Sequence, residues 1–226
     1  MLTEIIQIKK EKKFMIRKMI ALDWRSMKVY QIRGLLFPFF AIFVGWAYGS
    51  IMVIPVFVLM SSSFAINPFA VEDKGALNNF YLTLPVKRKE IVTGRYALSL
   101  LMLFCGIIIG VPFMLITNMF SMSKWYIGFN GIVTVISVTY LLYTLFELFR
   151  FPILFKLGYT KGRFWGFILP SMFAGAFFGA FLALSSFPKY AAIGLDFITF
   201  ASDNMLLVSG GIVVLATGFL ILSYNL

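Results

Sequence analysis

Residues 67–96 read NPFAVEDKGALNNFYLTLPVKRKEIVTGRY, a polar island of thirty residues between two strongly apolar blocks. It carries Glu72, Asp73, Lys74, Lys87, Arg88, Lys89, Glu90 and Arg95, eight of the 29 charged side chains, so something aqueous must meet it. Asn67-Pro68 reads as a turn, residues 74–82 as a short helix, and Thr83-Leu84-Pro85 as its end. A new helix then starts with Pro85 in its first turn, where a missing N–H costs no hydrogen bond. A short helix, a break and a basic helix start form a compact protrusion. Its expected task is to take mechanical force from a soluble partner.

The blocks on either side decide the fold class. Over 226 residues, 61% hydrophobic and 13% charged, with a mean hydropathy of +0.92, the composition excludes an ordinary soluble domain. From Gly34 to Ile66 there is no charge. As one helix that run would be about 50 Å long, against a hydrocarbon core of roughly 30 Å. Two spans are expected instead, near 34–48 and 50–67, with the turn at Gly45, Gly49 and Ser50. Further spans are expected at 97–120, 127–149, 165–184 and 205–223. The fold class is therefore all-α, a polytopic membrane protein of six transmembrane helices.

Residues 1–33 form a separate segment, cytoplasmic and interfacial, ahead of the six-span domain at 34–226. On a helical wheel Arg17, Lys18, Arg25 and Lys28 share one arc, while Met15, Met19, Ile20, Leu22, Met27 and Tyr30 lie opposite. Such a helix suits the headgroup layer, with Trp24 at the interface and membrane lipid as its partner. Asp23 interrupts the apolar arc and has no account at this level. No removable signal peptide is expected, since no short apolar run with a small-residue cleavage site follows the first basic residues.

Lysine and arginine give the orientation. The first 33 residues, the 67–96 island and a second polar break at 150–163 hold eighteen of them, whereas the alternate connections hold only Lys124 and Lys189. The positive-inside rule then puts both termini and both basic loops in the cytoplasm. The charges flank membrane spans, so the net charge of +11 does not argue for nucleic acid.

Candidate chemistry is sparse. There is no histidine, and the lone Cys105 lies in an apolar run, so no metal site, general base or disulfide framework is expected. Gly158 to Arg163 reads GYTKGR and does not form the G-x-x-x-x-G-K-[ST] phosphate loop. Glu147 is the one acid inside an expected span, and Arg150, three residues on, is its expected partner in a structural ion pair. With no charge deep in the membrane to couple an ion gradient, the energy for any transport must come from elsewhere.

The loops carry a resemblance. LTLPVKRKEIVTGRY at 82–96 resembles the LPVSRKEIV stretch, and FPILFKLGYTKGRF at 151–164 the P-x-x-x-K-x-G-Y-x-K-x-R stretch, of the small type-2 exporter permeases of bacterial ATP-binding cassette transporters. ALDWRSMKVY at 21–30 is similar to the start of those proteins, and Lys87 stands where they commonly have serine. The resemblance implies a permease in the bacterial cell membrane that pairs with itself or with a sister permease and with a separate nucleotide-binding ATPase subunit. It implies no cofactor in this chain, with ATP and magnesium in the partner. It places ATPase coupling at Asn78, Phe80, Leu82, Leu84, Pro85, Lys87, Arg88 and Glu90, with a lesser contact at Lys156, Tyr159 and Lys161. It further implies export of an amphipathic or hydrophobic substrate, a peptide, toxin or antimicrobial, as in exporters of phenol-soluble modulins and bacteriocins. The alternative from another class is a non-transport membrane scaffold or assembly factor, for which these loops are docking sites only.

Overall fold

The computed structural model describes residues 20–21, 23–25, 37–75, 88–120, 128–185 and 199–226. Among them the chain is helical throughout, without a strand. In order come α1 (Phe37–Tyr48), a 3-10 turn (Ser50–Met52), α2 (Val53–Phe64), α3 (Asn67–Gly75), α4 (Arg88–Phe120), α5 (Phe129–Ser185) and α6 (Met205–Asn225). Among the described residues four stretches are long and apolar enough to cross a membrane: Ser50–Asp73, Lys89–Phe120, Phe129–Met172 and Met205–Asn225. Six were expected. Among the described residues α1 has 12 residues, and α5, at 57, joins two expected spans. The chain divides into two units, Met1–Trp125 and Tyr126–Leu226.

In the first unit the uncharged run breaks at Gly49, whose φ of 106° and ψ of 145° suit glycine alone. The chain reverses there. Gly45 and Val53, which would be about 12 Å apart along one helix, are in direct contact, and Gly45 also meets Thr117 of α4. A second break follows at Ala65 and Ile66. Pro68 has no N–H to give to the Phe64 carbonyl, so the ladder restarts with Phe69 and Ala70 donating to Ile66 O at 3.0 and 3.3 Å. Asn67-Pro68, expected as a turn, therefore opens α3. The start of the polar island is helical and extends the second apolar stretch to Asp73.

α4 lies close along α2. A Cβ on Gly106 would stand 2.6 Å from Ser61 Oγ and 3.2 Å from Val58 Cα, so only glycine admits this approach. Ser61 Oγ in turn reaches the carbonyls of Val58 at 2.9 Å and Met102 at 3.1 Å. Phe57 and Phe113 stack with ring centroids 5.3 Å apart, and Ser50 Oγ donates to Asn118 Oδ1 at 3.1 Å. Where water is excluded, such hydroxyls must find partners within the protein. Ile20 of the N-terminal segment and Phe64 pack on the buried Leu98 and Met102.

In the second unit α5 is a hairpin. Gly158 has φ 71° and ψ 179°, outside the helical region. Beyond it Gly162 packs on Ile153 O and Leu154, and Gly166 sits 3.3 Å, by its notional Cβ, from Arg150 Cγ. Residues 150 and 166 would be about 24 Å apart on one continuous helix, so the arms 129–157 and 159–185 run antiparallel. The break expected as a loop at 150–163 is thus helical except at Gly158. α6 runs parallel to the first arm, since Thr134 meets Ser209 at 3.2 Å, Tyr140 meets Thr217 at 3.5 Å, and Ser223 Oγ donates to Glu147 O at 2.9 Å.

Candidate functional site

The helices bounding residues 76–87 are tied to each other. Arg95, in the second turn of α4, is buried to 2% exposure and forms an ion pair with Glu72 of α3. Its guanidinium also lies 3.9 Å from the centroid of the Phe69 ring. An arginine taken out of water is costly unless paired, and here a carboxylate and a ring face share the task. The contact thus joins α3 to the start of α4, the two helices on either side of residues 76–87.

Asp23 joins the same cluster. It is 1% exposed, while Trp24 and Arg25 beside it face outward. Burial pushes its carboxyl up from 3.8 to about 6, with Arg95 pulling it down and Glu72 pushing it further up. The acid that interrupts the apolar arc is thus buried within the electrostatic field of Arg95 and Glu72.

Of the expected coupling residues, Arg88 opens α4 and Glu90 is half-buried in its first turn, where a carboxylate complements the positive helix end. Asn78, Phe80, Leu82, Leu84, Pro85 and Lys87 lie outside the described residues, as do Arg17, Lys18 and Lys28 of the expected interfacial set.

The second unit presents the tip of the α5 hairpin. Lys156, Lys161 and Arg163 are exposed there, and the Arg163 guanidinium stands 5.6 Å from the ring of half-buried Tyr159. No acidic residue occurs from 151 to 185, so the tip is uniformly basic. Behind it Glu147 Oε1 and Arg150 Nη1 are 3.6 Å apart, with side chains 1% and 9% exposed. Among the described residues no three His, Cys, Asp or Glu side chains could hold a metal ion.

A family model described as ABC-2 family transporter protein matches residues 14–226. The chain belongs to the ABC-2 transporter family. No curated protein and no solved structure matches it. With its long apolar helices it is a multi-pass membrane permease of an ABC exporter. ABC-2 permeases are normally non-catalytic membrane subunits that work with a nucleotide-binding ATPase.

In this ABC-2 permease two features escaped sequence reasoning. The Arg95–Glu72 tie joins residues 23 positions apart, and the only signal for it was that an arginine and an acid stood at the inner edges of apolar blocks. Asp23 gave a clearer signal, since an acid on an apolar arc demands a buried partner.

Proposed function

We propose that this permease exports an amphipathic or hydrophobic substrate, a peptide, toxin or antimicrobial, from a bacterial cell with ATP hydrolysed by a separate subunit. It crosses the membrane six times, by α1, by α2 with α3, by α4, by the two arms of α5 and by α6. Both termini are cytoplasmic, and the working unit holds two permeases, either two copies or one with a sister chain. The ATPase grips Asn78, Phe80, Leu82, Leu84, Pro85, Lys87, Arg88 and Glu90. The basic tip at Lys156, Tyr159 and Lys161 is a lesser contact. Apolar Phe80 and Leu84 anchor, while the cations set orientation.

The observation that carries this reading is the buried tie between Arg95 and Glu72 at the base of residues 76–87. A loop that only displayed positive charge to headgroups would need no such brace, whereas one that receives a push does. The test is co-purification with an ATPase from the native membrane, followed by turnover and transport in proteoliposomes. Phe80→Ala with Leu84→Ala should keep both subunits folded yet lower transport at least tenfold and remove the dependence of turnover on the permease. Transport at the wild-type rate by the double variant overturns the coupling assignment.

A further inference from the structure

The second arm of α5 leaves the Gly158 turn with its cations and its exposed rings in register. Lys156, Lys161 and Arg163 are exposed and form no ion pair among the described residues. From Phe164 to Ser185 no charged residue follows. Just across that boundary Phe164, Trp165 and Phe167 are 62, 49 and 66% exposed, while Gly162 and Gly166 face the first arm. Positions four apart share a helix face, so Trp165 stands one turn beyond Lys161, and Phe167 one turn beyond Arg163, about 6 Å further along the axis. Phe164 and Trp165 meet edge to face with centroids 5.9 Å apart, and the Arg163 guanidinium is 5.6 Å from the Tyr159 ring. Cations one turn outside a girdle of rings match a bilayer surface, where phosphates lie above and acyl chains begin below. A soluble partner would instead have to cover Phe164 and Phe167 at the point where the helix turns wholly apolar.

We propose that the start of the second α5 arm is a binding surface for anionic phospholipid, with Lys161 and Arg163 taking headgroup phosphates and Phe164, Trp165 and Phe167 lying against the acyl chains below. Two residues apart on a helix, Lys161 and Arg163 point about 160° apart around its axis. They do not share one phosphate, so the partner is a lipid surface and not a free anion. With no acid from 151 to 185, the uniform sign of the tip selects anionic over zwitterionic headgroups. This rests on the reading that the two arms of α5 are separate membrane crossings. It adds to the ATPase contact proposed for the tip, since a helix end at the bilayer surface meets headgroups on its flanks and a soluble subunit at its crest.

The test is fluorescence quenching of Trp165 by lipids with brominated acyl chains, in the full chain with Trp24, Trp46 and Trp125 replaced by phenylalanine and reconstituted in vesicles of phosphatidylcholine and phosphatidylglycerol. Brominated phosphatidylglycerol should reach the ring with about fivefold higher relative affinity than brominated phosphatidylcholine, the effect of one cation at an anionic surface. Lys161→Gln with Arg163→Gln, both at exposed positions, should bring that ratio to about one, and about 0.5 M salt should lower it in the unsubstituted tip. A chain that keeps only Trp46, exposed on α1 within the uncharged run, should give a ratio of about one. Equal quenching of Trp165 by the two lipids, a preference that survives the double variant or salt, or the same preference at Trp46 overturns the proposal and leaves the crossing in place. Absence of quenching by either lipid, as for a tip that meets only the soluble subunit, removes the crossing and the proposal together.

Discussion

Gly49 and Gly158 both turn a helix back on itself with a single residue, and their surroundings differ in kind. At Gly49, α1 and α2 meet at Gly45 and Val53, and the nearby polar contact is a neutral one, Ser50 to Asn118. At Gly158 the arms of α5 meet at Gly162 and Gly166, the tip carries Lys156, Lys161 and Arg163, and a buried Glu147–Arg150 pair stands behind it. One backbone device thus serves an uncharged corner and a charged prong. The difference teaches that the turn itself asks only for glycine, while the neighbouring side chains decide whether the corner is apolar or carries a basic surface.

The strongest way to break this comparison is to remove the polar brace on each side. Glu147→Ala leaves Arg150 buried without its carboxylate and should cost about 3–5 kcal/mol of stability. Ser50→Ala removes one neutral hydrogen bond and should cost about 0.5–1.5 kcal/mol. Equilibrium unfolding in detergent checks both, and similar losses would show that the ionic brace does nothing the neutral contact does not. Next in size come the glycines. Gly49→Ala and Gly158→Ala should each lose about 1–3 kcal/mol, since both positions hold a backbone conformation that a Cβ strains. A neutral result at either position would mean that its reversal tolerates an ordinary residue. The smallest effect on stability belongs to the tip. Lys161→Glu with Arg163→Glu should change stability by no more than about 0.5 kcal/mol, as exposed positions do. In a pull-down the same double variant should weaken association with the ATPase, and undiminished association would remove the prong from the interface.

Much of this was legible in the residues. The apolar blocks, their interruption at 67–96 and the turn near Gly49 follow from charge and glycine placement, because both act locally. The Gly158 hairpin was less legible. Lys156, Lys161 and Arg163 made 150–163 look like a loop, yet nothing in those side chains prevents a helix, and the contact of Gly162 with Leu154 becomes visible only once the arms have folded back. Pro68 misled in a related way, since a proline that ends one helix can also stand in the first turn of the next. Asp23 showed itself as an anomaly on an apolar arc, but the charges whose field it feels, Glu72 and Arg95, lie some 50 and 70 positions further along the chain.

What the residues determine unaided is the solvent: a chain this apolar, with cations gathered at the edges of its blocks, is lowest in free energy inside a bilayer, and that depends on composition and order alone. Only the tertiary structure decided which charges leave water. Arg95 can be buried because α3 brings Glu72 and Phe69 to it, and such pairing depends on the approach of segments that no local pattern connects.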